Sequence, residues 1–467
     1  MQPLAAAEAS SQAVAMLRPP NDLWERIRRG FAMPNLDTEL VRDREQWYAT
    51  RPDYMLRMTE RSRKYLFYIV EELERRNMPT EIALLPFIES AFNPQAVSSA
   101  KAAGMWQFMP ATGKYFELKQ NAFRDDRRDV LESTRAALDY LQKLYGMFGD
   151  WELALAAYNW GEGSVSRALA RNKAAGLGLS YSELNMPAET RYYVPKLQAV
   201  KNIIASPDGF RAKLPDIGNH PYFDTVTITR DIDVALAAQL AEVPLDDFKA
   251  LNPSMNRPVI MAAGTPQILL PWDNAATFQR NLDAYNGARL ASWTAWVAPS
   301  TMKPGDAARR VGMVESDFRS INSIPPNMLI KAGSSLLVTR STLLDADVAP
   351  SVADHGQMSL APDVVLRRSV VQARKGDTSA SLSQRYGVSA ANLAEWNPGL
   401  AAGGLRKGQS VVLFLPSRSA APRAQARTAA PAAGARTPAR TSTTKGAPRT
   451  SSPSTKAAAK PAAKAKR

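Results

Sequence analysis

Glu89 is the carboxylate of this chain whose surroundings best suit proton donation. It lies in the run Ala83-Leu-Leu-Pro-Phe-Ile-Glu-Ser-Ala-Phe-Asn-Pro. A helix through this run would place Glu89 on one apolar face with Leu85 and Phe92, with no basic side chain beside it. Burial of this kind disfavours the ionised form and therefore raises the pKa of the carboxyl group. A neutral carboxylic acid in an apolar cleft can protonate the oxygen of a glycosidic bond.

A second carboxylate is needed for ordinary glycoside hydrolysis, which uses a pair of acids. Between residues 82 and 122 the one other acid is Glu117, in a segment predicted to be exposed. Residues 124–129 mix three aspartates with three arginines, and we interpret them as a solvated charge cluster. Glu162, between two glycines, is the best candidate for holding a water molecule, although an acid in a loop is more often simply solvated.

The elements that must position Glu89 are predicted to be helical. Residues 22–77 interleave apolar residues with Arg and Glu, and helical patterns continue to about residue 208. Apolar side chains from Leu138 to Phe148 recur at helical spacing, and a further apolar helix beginning at Trp151 is expected to end at Gly161. The region is therefore predicted to be all-α.

Three units of about fifty residues follow this region and share one plan. Each has a β-rich run, a helical stretch, a turn that contains Asn, and a second β-rich run. The turn residues are Asn252, Asn322 and Asn397, followed by a glycine after twelve, eleven and eleven residues. This recurrence predicts a small duplicated α+β (βααβ) module. The predicted copies occupy residues 222–272, 292–340 and 368–416. The middle copy is the shortest, so its first helix is predicted to be eroded.

The remaining segments are predicted to lie outside these domains. Residues 341–362 are interpreted as a polar linker, and residues 1–20 and 417–467 as disordered. Of the 59 Lys and Arg residues, twelve lie in the last segment, so residues 1–416 carry 47 basic against 44 acidic side chains. This tail could contact anionic polymers by charge alone, or simply be solvated. Its lack of aromatic side chains argues against specific nucleic-acid recognition.

The composition excludes several kinds of chemistry. The chain has no Cys, so it has no disulfide, thiolate metal site or thiol nucleophile. His220 and His355 lie far apart in segments predicted to be loops, which argues against a metal site and a Ser-His catalytic system. We expect no metal ion and no organic cofactor. The sequence also has no apolar span of 18 residues, so no transmembrane helix is predicted.

Four ordered motifs resemble one known family. They are the run around Glu89, Gly104-Met-Trp-Gln-Phe-Met-Pro-Ala-Thr-Gly, Ala157-Tyr-Asn-Trp-Gly-Glu-Gly and Glu189-Thr-Arg-Tyr-Tyr-Val-Pro. Followed by LysM-like repeats, they resemble the membrane-bound lytic murein transglycosylases of the D type over residues 22–416. The resemblance implies a multi-domain protein. Its predicted parts are a helical extension (21–78), an all-α lysozyme-like SLT domain (79–208), two divergent LysM-like repeats and a final LysM domain.

The resemblance also implies roles for individual residues. Glu89 matches the general acid and base of the family, and Ser98 matches a residue that hydrogen-bonds the N-acetyl group of the sugar. The other residues predicted to contact substrate are Ser90, Gln107, Met109, Tyr158, Asn159 and Tyr193. Trp106 is more simply explained as a core residue.

The implied reaction cleaves the MurNAc-β-1,4-GlcNAc bond of peptidoglycan without water, giving 1,6-anhydromuramoyl ends. Two alternatives stay open: a lysozyme-type hydrolase, with Glu162 as the second acid, and a non-catalytic scaffold that binds peptidoglycan. The resemblance further implies a monomer in the periplasm of a Gram-negative cell, associated with the outer membrane in many members. Those members are often lipoproteins, and this chain lacks the Cys that a lipid anchor requires.

Overall fold

The computed structural model describes residues 20, 22–287, 289–363, 366–399 and 405–416. These residues form two compact units, divided near residue 364, each with its own hydrophobic core. The segments predicted to be disordered, 1–20 except for residue 20 and 417–467, lie outside the described residues.

The first part of the first unit is helical, as predicted. Its helices are α1 (Leu23–Arg29), α2 (Glu39–Ala49), α3 (Pro52–Ser62), α4 (Leu66–Arg75), α5 (Leu85–Glu89), α6 (Pro110–Tyr115), α7 (Val130–Phe148), α8 (Trp151–Trp160), α9 (Glu162–Ala174), α10 (Ala188–Arg191) and α11 (Tyr193–Ala205). Shorter 3-10 helices occupy Thr80–Leu84, Tyr181–Glu183 and Pro207–Phe210. Among the described residues, no helix combines the length and apolarity needed to cross a membrane.

One hydrophobic core joins the helices before residue 79 to those after it. Leu23 and Ile69 are fully buried in the same cluster as Leu141 and Val200. The chain that follows α11 returns to this core, because the Leu23 amide donates to the Ile217 carbonyl at 3.0 Å. The predicted N-terminal extension and SLT region thus share one packed interior.

The βααβ plan recurs three times along the chain. The first copy has β1 (Phe223–Thr227), β2 (Ile232–Asp233), α12 (Val234–Leu240), α13 (Leu245–Leu251), β3 (Val259–Ile260) and β4 (Gln267–Pro271), followed by α14 (Trp272–Asp283). The second has β5 (Trp293–Val297), α15 (Pro304–Arg310), α16 (Glu315–Asn322), β6 (Met328–Ile330) and β7 (Ser335–Thr339). After α17 (Pro350–His355) and β8 (Leu360–Pro362), the third has β9 (Leu366–Gln372), α18 (Ser379–Tyr386), α19 (Ala390–Trp396) and β10 (Ser410–Pro416). In each copy the first long strand pairs antiparallel with the last.

The turn asparagine makes the same three hydrogen bonds in every copy. The Nδ2 of Asn397 donates to the carbonyls of Leu393 and Val412 at 2.9 and 2.7 Å, and its Oδ1 accepts from the Val412 amide at 2.7 Å. Asn252 and Asn322 repeat this pattern from the second helix to the last strand. The recurrence of these three hydrogen bonds in all three copies supports the predicted duplication.

The prediction that the middle copy has an eroded first helix is wrong. Helix α15 has seven residues, as many as α12 in the first copy. Pro304 starts α15 immediately, so Gly305 lies inside the helix, whereas Gly376 of the third copy precedes α18. The middle copy was predicted to be shorter because Gly305 precedes Asn322 by 17 residues and Gly376 precedes Asn397 by 21, but these two glycines are not equivalent.

The interpretation of residues 341–362 as a linker is also wrong. This segment forms α17 and β8, which places His355 at a helix end, and β8 pairs with β6. Val348 and Ala353 are buried in a cluster that also includes Phe123 of the helical part. The Nδ2 of Asn121 donates to the Ala353 carbonyl at 2.9 Å. The segment therefore ties the second copy to the helical part.

Candidate active site

Glu89 is the last residue of α5, so the predicted continuous helix through Phe92 is wrong. Ala91 and Phe92 follow with φ angles of 53° and 55°, which non-glycine residues adopt rarely. The turn is held because the Phe92 amide donates to the Pro86 carbonyl at 3.0 Å. Phe92 is nevertheless fully buried, with its ring 4.5 Å from that of Phe87. The apolar surroundings that were predicted for the acid are therefore present, but a reversed chain builds them.

Burial raises the pKa of Glu89 to about 7. The hydroxyl of Tyr193 donates to Oε1 of Glu89 at 2.5 Å, and this bond opposes the rise in pKa because it favours the carboxylate. Lys196 also lowers the pKa, so the prediction of no basic group near Glu89 is wrong: this cation comes from α11. Glu189 raises the pKa slightly. The acid keeps partial solvent exposure, through which a substrate can reach it.

Two tyrosines flank Glu89 from different helices. Tyr193 begins α11 and is almost fully buried, and burial together with the neighbouring Glu89 raises its own pKa. It therefore stays protonated and acts as a hydrogen-bond donor. Tyr158 lies on α8, and its hydroxyl donates to the Trp106 carbonyl at 2.9 Å. Trp106 is fully buried and donates to Thr134 Oγ1 at 3.1 Å, which makes it a core residue.

The loop of residues 101–109 is supported by residues 124–129, which are not the solvated cluster predicted from the sequence. Asp126 and Arg127 are only 6% and 9% exposed. The Nη1 of Arg127 donates to the carbonyls of Lys101 and Phe108 at 2.7 and 3.2 Å. Gly104 packs against the same segment with φ +84°, and a Cβ there would lie 1.8 Å from the Arg127 carbonyl oxygen. The cluster is a buried support for the loop that carries Gln107 and Met109.

Comparison with known proteins places this arrangement in a family. The transglycosylase SLT domain matches residues 67–177, the LysM-like domain of lytic transglycosylase MltD matches 222–287, and the LysM domain matches 371–414. The chain is 32% identical to membrane-bound lytic murein transglycosylase D of Escherichia coli (strain K12), over 89% of this chain and 91% of that protein. The chain belongs to the lytic murein transglycosylase D family.

Two further matches are more local. A protein of Alteromonas sp. (strain M-1) named for tributyltin chloride resistance is 48% identical over 27% of this chain and 62% of its own length. The crystal structure of the 70 kDa soluble lytic transglycosylase of Escherichia coli matches 30% of this chain and 23% of its own, with 27% identity and a TM-score of 0.24.

The other residues that were predicted to bind substrate in this lytic transglycosylase already make contacts within the protein. Ser90 donates to the Met105 carbonyl at 2.9 Å, which fixes the turn beside Glu89. Ser98 accepts from the Ala102 amide at 3.0 Å, so its hydroxyl proton can be donated elsewhere. Asn159 accepts from the Thr190 hydroxyl at 2.8 Å, which joins the third motif to the fourth.

Gln107 and Met109 lie on the loop that follows Gly104. Gln107 has φ 53°, and its Nε2 donates to the Gly104 carbonyl at 2.8 Å, so the side chain stabilises its own turn. Met109 is 44% exposed and immediately precedes α6. Of these two residues, Met109 is the better placed to touch a ligand.

An aromatic band that the sequence analysis missed extends from Tyr158. The ring of Tyr140 lies 5.5 Å from that of Tyr158, and Phe116 lies 5.0 Å from Tyr140. The Nζ of Lys143 lies 5.0 Å from the ring centre of the exposed Tyr115. Tyr140 and Lys143 are one turn apart on α7, and this spacing is the sequence signal that could have shown them on one face.

Glu162 was predicted to be a loop residue, but it is the first residue of α9. Its carboxylate pairs with Lys143 Nζ at 2.9 Å and borders Tyr140. Glu162 thus borders Tyr140, whereas the charge of Glu89 acts on Tyr158, so the two acids neighbour different rings of this pair. Among the described residues, no cluster of His, Cys, Asp and Glu is arranged to hold a metal ion.

Proposed function

We propose that Glu89 cleaves the MurNAc-β-1,4-GlcNAc bond of peptidoglycan, first as general acid and then as general base. By its family the chain is a peptidoglycan lytic transglycosylase. The observation that carries the assignment of Glu89 is its setting, a carboxyl group beside the buried Phe87 and Phe92 with one hydrogen bond, from Tyr193. Burial raises its pKa from the ordinary range of a carboxyl group to about 7. Such an acid is populated in both protonation states near neutral pH, as a residue with two successive proton transfers requires.

The proposed reaction begins when Glu89 gives its proton to the glycosidic oxygen and the bond from that oxygen to C1 of MurNAc breaks. The carbonyl of the substrate's own N-acetyl group stabilises the cation at C1. The Glu89 carboxylate then takes the proton of the C6 hydroxyl, and O6 attacks C1 within the same sugar. The product is a 1,6-anhydro ring, Glu89 is protonated again and no water is consumed.

Neighbouring residues are proposed to assist this sequence. Tyr193 favours the carboxylate form of Glu89 through its hydrogen bond, which stabilises the state formed after the first proton transfer. The Ser98 hydroxyl is proposed to hydrogen-bond the N-acetyl group. Tyr158 is proposed to line the sugar cleft, together with Ser90, Gln107, Met109 and Asn159.

The LysM modules are proposed to hold the enzyme on glycan strands, and peptidoglycan is the partner that this family supports. The third copy has its own core around Leu382, Leu393 and Val411 and is the module we expect to bind glycan. We propose that the enzyme acts as a monomer without a metal ion or organic cofactor, in the periplasm of a Gram-negative cell near the outer membrane. Contact of anionic polymers with the basic tail remains a prediction.

The hydrolase alternative needs a carboxylate that can hold water. Glu162, its sequence candidate, is occupied by Lys143. Glu189 is exposed on α10 and its charge reaches Glu89, so it is the better candidate in the folded chain. The third possibility, a non-catalytic scaffold, is disfavoured by the raised pKa of Glu89.

Mass spectrometry of muropeptides released from purified sacculi by the full chain tests the proposal. We expect products one water lighter than hydrolytic muropeptides, with no reducing MurNAc end. Reducing ends would establish hydrolysis and direct attention to Glu189 and Glu162. A chain that binds sacculi but releases nothing would be a scaffold.

A further inference from the structure

A groove runs between the helical part and the first βααβ copy. One cavity of about 340 Å³ lies against α12, α13 and residues 255–258. A second of about 460 Å³ lies between α13 and residues 92–95, the segment just after the catalytic turn. Gln95 and Lys249 line both cavities, so the two are neighbours. We call this the junction groove.

The walls of the junction groove are fixed to each other by hydrogen bonds. On one side Lys64 pairs with Asp247 at 2.5 Å and the Tyr65 hydroxyl donates to the Ala250 carbonyl at 2.9 Å. On the other side Ser254 Oγ donates to Asp129 at 3.1 Å, and the Asp125 amide donates to the Ser254 carbonyl at 2.8 Å. The groove is therefore formed by the folded chain before any ligand arrives, which lowers the entropic cost of binding.

The charges around the groove are mainly positive. Its cationic lining residues are Arg61, Lys64, Lys249 and Arg257, whereas the acid that lines it is Asp246. Lys64 and Arg257 are used internally, the latter by the Ala122 carbonyl at 3.0 Å. Within the described part of the chain, the charged ends of Arg61 and Lys249 have no such partner, and both side chains are exposed. Arg61 lies on α3 and Lys249 on α13, so each side of the groove has one free cation, and both favour an anionic ligand.

The floor of the groove is apolar and the far wall carries amides. Tyr65, Phe92 and Pro94 are buried at the base of the second cavity. The amides of Gln95 and Asn256 line the first cavity and are held by Arg128, which donates to Gln95 Oε1 at 3.0 Å. Free cations, an apolar floor and amide groups together match a short peptide that bears carboxylates and methyl groups.

We infer that the junction groove binds the stem peptides of peptidoglycan through their carboxylates. This inference rests on the proposed function, because that function brings peptide-bearing glycan to the neighbouring cleft. One segment that lines the groove begins three residues after Glu89, so the groove lies near the cleft that is proposed to hold the glycan strand. The first copy would then serve the catalytic domain as a wall of its peptide site.

Fluorescence anisotropy with a stem tetrapeptide, L-Ala-γ-D-Glu-meso-diaminopimelate-D-Ala labelled at its amino end, tests the inference on the full chain. We expect saturable binding that weakens with salt and falls about tenfold in the double variant Arg61→Gln/Lys249→Gln. Lys173→Gln is the matched control, because Lys173 is also exposed in the last turn of a helix, α9, away from the groove. Amidation of the peptide carboxylates should weaken binding to the native chain by a similar factor.

Equal affinity in the native, double-variant and control chains would overturn the inference, and so would the absence of binding. Competition by peptide-free glycan strands would also overturn it, because the groove would then bind sugar. Cleavage of sacculi is measured on the same samples. Cleavage without peptide binding refutes the groove alone, whereas peptide binding without cleavage refutes the proposed function and leaves the groove supported.

Discussion

Two carboxylates, one in the cleft and one in the third βααβ copy, have opposite pKa shifts. Burial raises the pKa of Glu89 to about 7. Asp377 is only 4% exposed, yet its pKa falls to about 2. The guanidinium of Arg385 donates to both of its oxygens, at 2.5 and 2.8 Å, and the Arg374 amide donates at 2.8 Å. Glu89 receives one hydrogen bond from the neutral Tyr193.

The difference shows that shelter from water does not by itself set the state of an acid. A paired and hydrogen-bonded carboxylate stays ionised and stabilises its module, whereas an acid deprived of such partners stays poised to exchange a proton. In our proposal, the chain therefore uses a carboxylate for structure in one region and for chemistry in another.

Removing the poised acid should have the largest effect on activity. Glu89→Gln keeps the shape of the side chain but cannot transfer a proton, so we expect turnover of sacculi to fall roughly a hundredfold to ten-thousandfold. Binding to sacculi should persist, since the LysM modules are untouched. Glu117→Gln, at an exposed acid near the cleft, is the matched control. Normal turnover by Glu89→Gln would show that the raised pKa has no catalytic meaning.

The pH dependence of kcat/KM should follow the protonated fraction of Glu89. Since the first step needs the neutral acid, the rate should fall as pH rises through about 7, by about tenfold for each further pH unit. A soluble glycan substrate and a stopped assay from pH 5 to 9 suffice for the measurement. A rate limb near pH 4.5 would mean that burial does not control this acid.

Tyr193→Phe should sharpen the contrast by taking away the one hydrogen bond that Glu89 receives. The pKa of Glu89 should then rise further, because that bond lowers it. The alkaline limb of the rate profile should move to higher pH, and kcat should fall about tenfold as the carboxylate state loses its donor. Tyr192→Phe, at the neighbouring half-buried ring, should leave both quantities unchanged.

Asp377→Asn should give the smallest change, confined to the third copy. A depressed folded pKa gives stability that is present above the unfolded value near 4 and is lost as pH falls towards about 2. The substitution should therefore destabilise α18 at neutral pH. The stability of the third copy should also depend less on pH in the acid range than it does in the native chain. Hydrogen–deuterium exchange of peptides from α18 measures this, with the exposed Glu395→Gln as control. An unchanged exchange rate in Asp377→Asn would show that the ionised carboxylate of Asp377 does not stabilise the third copy.

Much of the fold could be predicted because it depends on local patterns. Helical spacing located α7 and α8. The three turn asparagines located the repeats, since each asparagine makes the same three hydrogen bonds between the second helix and the last strand of its copy. The segment 341–362 was mistaken for a linker because two of its apolar residues, Val348 and Ala353, are buried by partners distant in sequence. Such burial leaves no periodic signal.

The residues of the candidate site could be proposed from the sequence, but their local geometry could not. Glu89 and Tyr193 were located by their motifs, and the acid's apolar setting by its neighbours. Lys196 was missed because it comes from another helix, and the helix end at Glu89 was missed because no Gly or Pro marks the left-handed turn at Ala91 and Phe92. Residues 124–129 were wrongly predicted to be solvated, because charged residues usually are. Asp126 and Arg127 are buried by tertiary contacts that the sequence does not show.

The most direct test of the central claim is a titration of the two carboxylates in the same molecule. Side-chain ¹³C NMR of the full chain with labelled Glu and Asp, with difference spectra against Glu89→Gln and Asp377→Asn, isolates each signal. We predict midpoints of about 7 for Glu89 and about 2 for Asp377. A Glu89 midpoint near 4.5, the ordinary value for a Glu carboxyl group, would contradict the account.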